Sequence, residues 1–391
     1  MTGRRRFGTV RKLSSGRFQA RWWDEASGKQ VPVDTTFASK AEALRYLAIL
    51  EADLLRGAWV DPRAGEITLS EYAPYWLANR PRPLRPRTVD LYTGQLRNHI
   101  LPILGDIELR KISTSGVRTW LGALRATGRI GDVTVAKCYR LLHAILATAV
   151  EDEIIVKNPC VLKNAAVEHS PERPVATVGQ VYALADAVGP QYRALVLMAT
   201  FAGLRLGELF ALTRARLDML HGTVTVVEQL QELASGRRIV SDPKSEAGRR
   251  IVTIPAVILP DLERHLSEWA APGRDGLVFC RADGTPIRRA TWNRKWRRAA
   301  RAVGTEGLHF HDLRGTGNTL AAATGASTKE LMARMGHASS RAALLYQHAT
   351  RDRDAAIAKA LSDLVAGAVP TPPAPVASLL RRDREIPTTA Q

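Results

Sequence analysis

The sequence predicts a multidomain, mainly α-helical chain with small β-sheets: a three-stranded N-terminal sheet plus one helix, a helical block, and a larger mixed α+β block. Three observations support this. The chain has 391 residues, and at roughly 150 residues per domain that length suggests two or three domains. Two polar, proline-containing stretches, 61–66 and 168–174, divide it. Strand-length runs bounded by turn signals gather at the start and between 223 and 254, while helical spacing of apolar residues dominates elsewhere.

Composition narrows the class of partner. Hydrophobic residues make up 45% and charged residues 24%, an ordinary globular mixture that buries sizeable cores. The 56 Lys and Arg against 38 Asp and Glu leave +18, with a pI near 10.4, so a polyanion is the expected partner. Cys138, Cys160 and Cys280 are far apart and form no C-x-x-C, which excludes a disulfide framework or a cysteine-based zinc module. No run of eighteen apolar residues and no signal core follow the basic start, so the expectation is a cytoplasmic protein without membrane contact.

Residues 7–12, 17–23 and 30–36 read as strands separated by the turn signals Ser14-Ser15-Gly16 and Ala26-Ser27-Gly28. A helix is expected from an N-cap at Ser39 to about Arg56, with Gly57 as its stop. Residues 1–30 hold eight cations against two acids, among them Arg17 and Arg21, interleaved with Phe7, Phe18, Trp22 and Trp23. A solvated basic face would explain this pattern; a sheet laid in a DNA groove explains the aromatic residues as well. Residues 61–66 read as a linker. Thr68-Leu69-Ser70-Glu71 is a capping-box pattern, and helices follow near 87–99, 114–126 and 132–152. The block from 175 to 366 reads as helices, then strands at 223–228, 237–241 and 249–254, then helices again; the Pro-rich 370–375 and the polar end predict a disordered tail over 367–391.

Several residues in the third block could act on a phosphodiester. Arg205 and Glu208 lie three apart on one helical face. Asp242-Pro243-Lys244 places Lys244 at the tip of an expected hairpin, where it could reach a leaving oxygen. His311 and Arg314 lie three apart at a helix start, His337 follows Gly336, and Tyr346 comes nine residues after His337. His309 and His311 lack the Cys pair or H-E-x-x-H partner that a metal site needs. Each feature alone has a plain explanation: an ion pair, a solubilising lysine, a core tyrosine.

Their order is more informative. Gly203-Leu204-Arg205-Leu206-Gly207-Glu208, Pro243-Lys244, His311-Asp312-Leu313-Arg314, Met335-Gly336-His337 and Tyr346-Gln347-His348 together form the ordered signature of the tyrosine recombinase (phage integrase) family, which this chain resembles over most of its length. One departure is Gly248, where family members often carry Ser or Thr. The resemblance implies an arm-type DNA-binding domain over 1–60, a helical, SAM-like core-binding domain over 66–166 and a catalytic domain over 173–366, as in the larger integrases of phages and integrative elements.

It also implies a site-specific recombinase that integrates or excises a mobile element by cleaving and rejoining duplex DNA through a 3′-phosphotyrosine. Tyr346 would be the nucleophile, His311 its general base, and Arg205 and Arg314 the clamps on the nonbridging oxygens. His337 would add a donor, Lys244 would protonate the leaving 5′ oxygen, and Glu208 would orient Arg205. No P-loop or dinucleotide fingerprint is present, and neither cofactor nor metal is expected. Four protomers would share a synaptic complex on attachment-site DNA, with an excisionase or a host DNA-bending protein as accessory partners, in the nucleoid of a bacterial host. Arg294, Lys295, Arg298 and Arg301 would face phosphates while Trp292, Trp296, Ala299 and Val303 turn inward. The competing functions are type IB topoisomerase-like relaxation, which lacks a use for the basic mini-domain, and a non-enzymatic DNA-binding regulator, which leaves the filled catalytic positions unexplained.

Overall fold

The computed structural model describes residues 7–24, 28–56, 59–61, 63–168, 173–243, 245–337, 358, 359 and 362. Lys244, Tyr346, the helix stop at Gly57 and the tail 367–391 lie outside the described residues. The chain divides into two compact units at residues 172/173, with 232–237 counted in the first.

The first unit opens with β1 (Gly8–Lys12), β2 (Phe18–Asp24) and β3 (Lys29–Phe37), an antiparallel sheet in that order. A register shift between Gln19 and Arg21 marks a bulge in β2 against β3. Strand alternation sends Ala20 and Trp22 inward, against Ala43, Leu47 and Leu50 of α1 (Lys40–Leu55). The expected cap is present: Ser39 accepts a hydrogen bond from the Glu42 N–H.

A second core in this unit is helical. Thr68 and Glu71 form the reciprocal capping box of α2 (Leu69–Ala78). The stretch read as a linker contains a short 3-10 turn, Ala64–Glu66, preceded by a local bond from the Arg63 N–H to Asp61 at 2.9 Å. The helix expected near 87–99 is instead α3 (Pro86–Gln95), a π-helical turn (Leu96–Ile100) and α4 (Leu101–Leu104) in sequence. Pro102 explains the change: it has no N–H to return to the preceding turn, and the wider π turn relieves the ring's clash. α5 (Thr114–Ala126) and α6 (Asp132–Glu151) complete the core. By length and composition α6 could cross a membrane, but Val135, Tyr139, Leu142, Ile145, Leu146 and Ala149 pack into this unit's own core.

The second unit begins with α7 (Val178–Ala187), α8 (Pro190–Phe201) and α9 (Leu206–Ala211). The strand expected over 223–228 stops at Val226 as β5 (Thr223–Val226); an unexpected separate strand, β6 (Gln229–Glu232), follows it, and a two-residue β4 (Leu217–Asp218) precedes it. β7 (Arg238–Ser241) pairs with β6, while β8 (Arg250–Thr253) pairs with β5 in a β4-β5-β8 sheet. Residues 242–249 are therefore a crossover between two sheets and not the expected hairpin. Burial accounts for the break between β5 and β6: β5 buries Val224 and Val226 in the core, whereas β6 and β7 have no fully buried residue and form a ribbon.

α10 (Leu259–Glu268), α11 (Arg289–Ala302), α12 (Asp312–Ala323) and α13 (Thr328–Met335) follow. α8 and α12 approach closely at Gly317, where an added Cβ would lie 1.8 Å from the Thr200 carbonyl oxygen. That contact sets the distance between the helix that leads into the first motif and the helix that carries the third. It depends on glycine.

Candidate active site

The first, third and fourth motifs each enter the site at a helix terminus. Gly203 turns the chain after α8 in the left-handed region, φ 66°, and the Arg205 N–H then donates to Glu208 Oε2 at 2.8 Å, starting α9. An added Cβ at Gly203 would meet the Met335 sulfur at 2.6 Å, so the glycine is needed for both the turn and the contact. His311 precedes α12, and Arg314 lies in its first turn.

The last described motif is a helix stop. Gly336 ends α13 with φ 60° and ψ 50°, the Gly336 N–H donates to the Ala333 carbonyl at 3.2 Å, and the His337 N–H donates to Met332 at 3.0 Å. These paired bonds form a Schellman motif, which holds the backbone of His337 directly after the helix.

The side chains converge. Arg205 Nη1 donates to Glu208 Oε1 at 2.7 Å, and its Nη2 donates to the Gly336 carbonyl at 3.0 Å. The buried Arg314 guanidinium donates to the carbonyls of Gly203 and Met335. Two arginines from distant motifs thus brace the same pair of turns.

The surroundings are strongly cationic, and the histidines respond. Loss of solvation, then the Arg314 and Arg205 charges, push the His311 pKa below its ordinary value although the ring keeps exposed surface. For His337, loss of solvation followed by Arg314, Arg205, Arg250 and His311 pushes the pKa down to about 4. Both imidazoles are neutral at pH 7, so each ring has one nitrogen that can accept and one that can donate. The His337 Nδ1 atom is buried and has no hydrogen-bond partner among the described residues.

Sequence reading passed over Arg250. This residue opens β8, its side chain is 5% exposed, and its Nη2 donates to Glu208 Oε2 at 2.9 Å. Burial alone would raise the Glu208 pKa, but the Arg250 hydrogen bond and charge, with Arg205, carry it down to about 2. No local pattern marks Arg250, because its partner is 42 residues away. The departure at Gly248 also has a structural reason. An added Cβ there would lie 2.4 Å from the Pro243 Cβ, so in this chain the crossover beside Lys244 is too tight for a serine or threonine without adjustment.

The residues expected on a DNA side are divided between the units. In α11, Arg294, Lys295, Arg298 and Arg301 are exposed while Trp292, Trp296 and Ala299 are buried and Val303 is partly buried. Lys295 also donates to the Val188 carbonyl at 2.9 Å and lies over the Tyr192 ring. On the N-terminal sheet Arg17 donates to Thr36 Oγ1 at 2.7 Å, and Arg21 Nη2 donates weakly to the Gln30 carbonyl at 3.4 Å. Among the described residues no three His, Cys, Asp or Glu side chains gather as metal ligands.

A mixed α/β domain with this constellation, attached to a helical domain and a three-stranded sheet, defines a multidomain DNA strand-exchange enzyme. Comparison with known proteins agrees. The model of the phage integrase family matches residues 177–353, that of the phage integrase N-terminal domain matches 6–56, and that of the N-terminal SAM-like domain matches 68–124. The putative prophage phiRv2 integrase of Mycobacterium tuberculosis is 37% identical over 371 residues, covering 92% of this chain and 96% of that protein. The integrase of Mycobacterium phage L5 is 31% identical, covering 92% and 98%. Among solved structures, the Tn1549 transposon integrase in complex with transposon right end DNA shares the fold at a TM-score of 0.65 and 21% identity, over 76% of this chain and all of that one. A lambda integrase dimer bound to a COC′ core site does so at 0.56 and 18%, over 88% and 96%. The chain belongs to the phage integrase family of tyrosine recombinases, whose enzymatic class is DNA strand breaking and rejoining.

Proposed function

We propose that the protein is a site-specific integrase that inserts or excises a mobile element, with Tyr346 as nucleophile and duplex attachment-site DNA as substrate. The observation that carries this reading is the convergence of Arg205, Arg314, His311 and His337 from three separated motifs onto one cationic cluster. Such a cluster matches the charge that develops on a phosphodiester under attack.

In this reading the Tyr346 oxygen attacks phosphorus, and a phosphotyrosyl bond forms at the 3′ side as the bond to the 5′ oxygen breaks. A phenol has an ordinary pKa of about 10, so its proton needs an acceptor at pH 7. His311, held neutral by its cationic neighbours, is suited to take it. Arg205 and Arg314 grip the nonbridging oxygens with their planar guanidinium groups. His337 adds a neutral donor, and Lys244 delivers a proton to the departing 5′ oxygen. The phosphotyrosine retains the bond's energy, and a 5′-hydroxyl from a second duplex reverses the step, so the reaction needs no metal and no ATP.

Residues 1–60 act as the arm-type domain, with Arg17 and Arg21 facing DNA; residues 66–166 form the core-binding domain and 173–366 the catalytic domain. Arg294, Lys295, Arg298 and Arg301 contact phosphates beside the crossover. Four copies assemble on the synapse at the bacterial nucleoid, and an excisionase or host bending protein sets direction. The test is incubation with a nicked duplex that carries the joined ends of the encoding element. A covalent adduct with recombinant products is the expected result. An adduct with relaxation alone would favour a topoisomerase, and binding without an adduct would favour a regulator.

A further inference from the structure

Arg250, which belongs to none of the sequence motifs, bonds to several of the segments that carry them. Its Nη1 and Nη2 reach the two carboxylate oxygens of Glu208 at 3.2 and 2.9 Å. Its Nε donates to the Arg334 carbonyl at 2.9 Å, and Nη1 also donates to the Gly248 carbonyl at 3.1 Å. Nη2 lies 3.4 Å from the Gly203 carbonyl. One side chain therefore touches the turn before Arg205, the crossover that carries Lys244, and the helix that ends at His337.

The glycine of the last motif leaves room for it. An added Cβ at Gly336 would lie 3.2 Å from both Cδ and Nη1 of Arg250. Glu208 in turn holds Arg205 at two atoms, the backbone N–H and Nη1. This is a chain of contacts from a buried cation to a half-buried one: Arg250 is 5% exposed, Glu208 3% and Arg205 33%.

We propose that Arg250 is a positioning residue for strand cleavage, acting through Glu208 to fix the guanidinium of Arg205 and to lock the crossover and the α13 terminus around it. This rests on the reading of Arg205 as a phosphate clamp. Arg250 stays off the DNA. A planar guanidinium spans both carboxylate oxygens and still has an Nε–H for the Arg334 carbonyl, which a lysine ammonium cannot reproduce. Displacing a reacting group by about 1 Å can cost roughly 10²-fold in rate, so the effect falls on cleavage far more than on binding.

The charged groups facing Glu208 define a diagnostic pH dependence. Arg250 from β8 and Arg205 at the start of its own helix act on it directly, Arg216 and Glu228 line the cavity beside it, and Arg334 and His337 stand near enough to Arg250 to feel its charge. Without Arg250, the buried carboxylate loses its principal counter-charge and takes up a proton as pH falls, loosening Arg205. With Arg250 present it stays ionised. A general loss of folding would not distinguish these conditions.

The experiment uses the full chain, gel-shift binding, and the rate of covalent adduct formation on the nicked duplex that carries the element's joined ends. Wild-type adduct formation tests the recombinase reading itself; the ratio of variant to wild type tests Arg250. Arg250→Met is expected to bind DNA normally and to cleave about 10²-fold more slowly, with the ratio falling further as pH drops from about 8 to 5.5. Glu208→Gln combined with Arg250→Met removes the titrating group, and its ratio is expected to be flat with pH. Should Arg250→Met lose DNA binding as well, Arg250→Lys carries the test, with binding kept and cleavage slowed. A wild-type protein that forms adduct beside an Arg250→Met or Arg250→Lys variant that cleaves equally fast, or a slow Met variant whose ratio does not change with pH, overturns the proposal while leaving the recombinase reading intact.

Discussion

Arg205 and Gly336 lie 131 residues apart and are joined by a hydrogen bond of 3.0 Å, from the Arg205 Nη2 atom to the Gly336 carbonyl. The arginine of the first motif is thus aimed by the backbone of the fourth. Arg314 repeats the arrangement from the third motif, donating to Gly203 and Met335. The first and fourth motifs each supply a turn, and arginine donors from the first and third hold those turns together.

The two arginines differ in burial, so their alanine variants should differ. Arg205→Ala is expected to lower adduct formation by about 10²–10³ while leaving DNA affinity and melting temperature nearly unchanged. Arg314→Ala should slow cleavage similarly and also destabilise the fold by about 1–3 kcal/mol, because two buried carbonyls lose their donor. Parallel suicide-substrate kinetics and urea unfolding check this; either variant cleaving at wild-type speed would make that arginine structural.

Gly317→Ala should separate α8 from α12. The new methyl carbon would stand 1.8 Å from the Thr200 carbonyl oxygen, and overpacking of this kind typically costs about 1–3 kcal/mol. Urea unfolding of the variant is expected to show a lower midpoint, and cleavage should fall with it, since α12 carries Arg314.

Stability should decline in mild acid. His337 has its pKa lowered from 6.5 to about 4 in the folded protein, and His311 is lowered in the same direction. The unfolded chain therefore binds protons first as pH falls, so stability contributed above pH 6.5 is lost progressively toward pH 4. Melting temperatures across that window should drop less for His337→Gln than for wild type. An equal drop would place the acid sensitivity elsewhere.

Deleting residues 1–62 should preserve cleavage of an isolated core site while impairing recombination on full-length attachment DNA. A tethered second module raises effective concentration without altering catalytic contacts. On the described sheet, Arg11 is hydrogen-bonded to Gln19 and Arg17 to Thr36, so these cations are oriented rather than merely solvated. Footprinting that protects only the crossover core would contradict the arm-site assignment.

Local signals in the sequence were enough for the sheet, the turn at Ser14-Ser15-Gly16 and most of the described helices. Ser39 and the Thr68–Glu71 box start their helices as read, and Trp292, Trp296 and Ala299 form the inward stripe of α11. What escaped depends on distant partners. The split of β5 from β6 and the crossover at 242–249 follow from which strand pairs with which, and no residue inside those segments encodes that choice. The π turn before Pro102 was within reach, since the proline was visible, but its consequence depends on the helix continuing beyond it. Arg250 resembled any other arginine in a basic chain until Glu208 stood against it.

If the hydroxyl of Tyr346 breaks the DNA, as proposed, removing that single oxygen abolishes the covalent product. Wild type and Tyr346→Phe are incubated with the same nicked duplex carrying the element's joined ends, and protein–DNA adducts are resolved under denaturing conditions. A covalent adduct is expected for wild type and none for Tyr346→Phe, with equal gel-shift affinity for both. An adduct formed by Tyr346→Phe would place the nucleophile elsewhere and contradict the proposal.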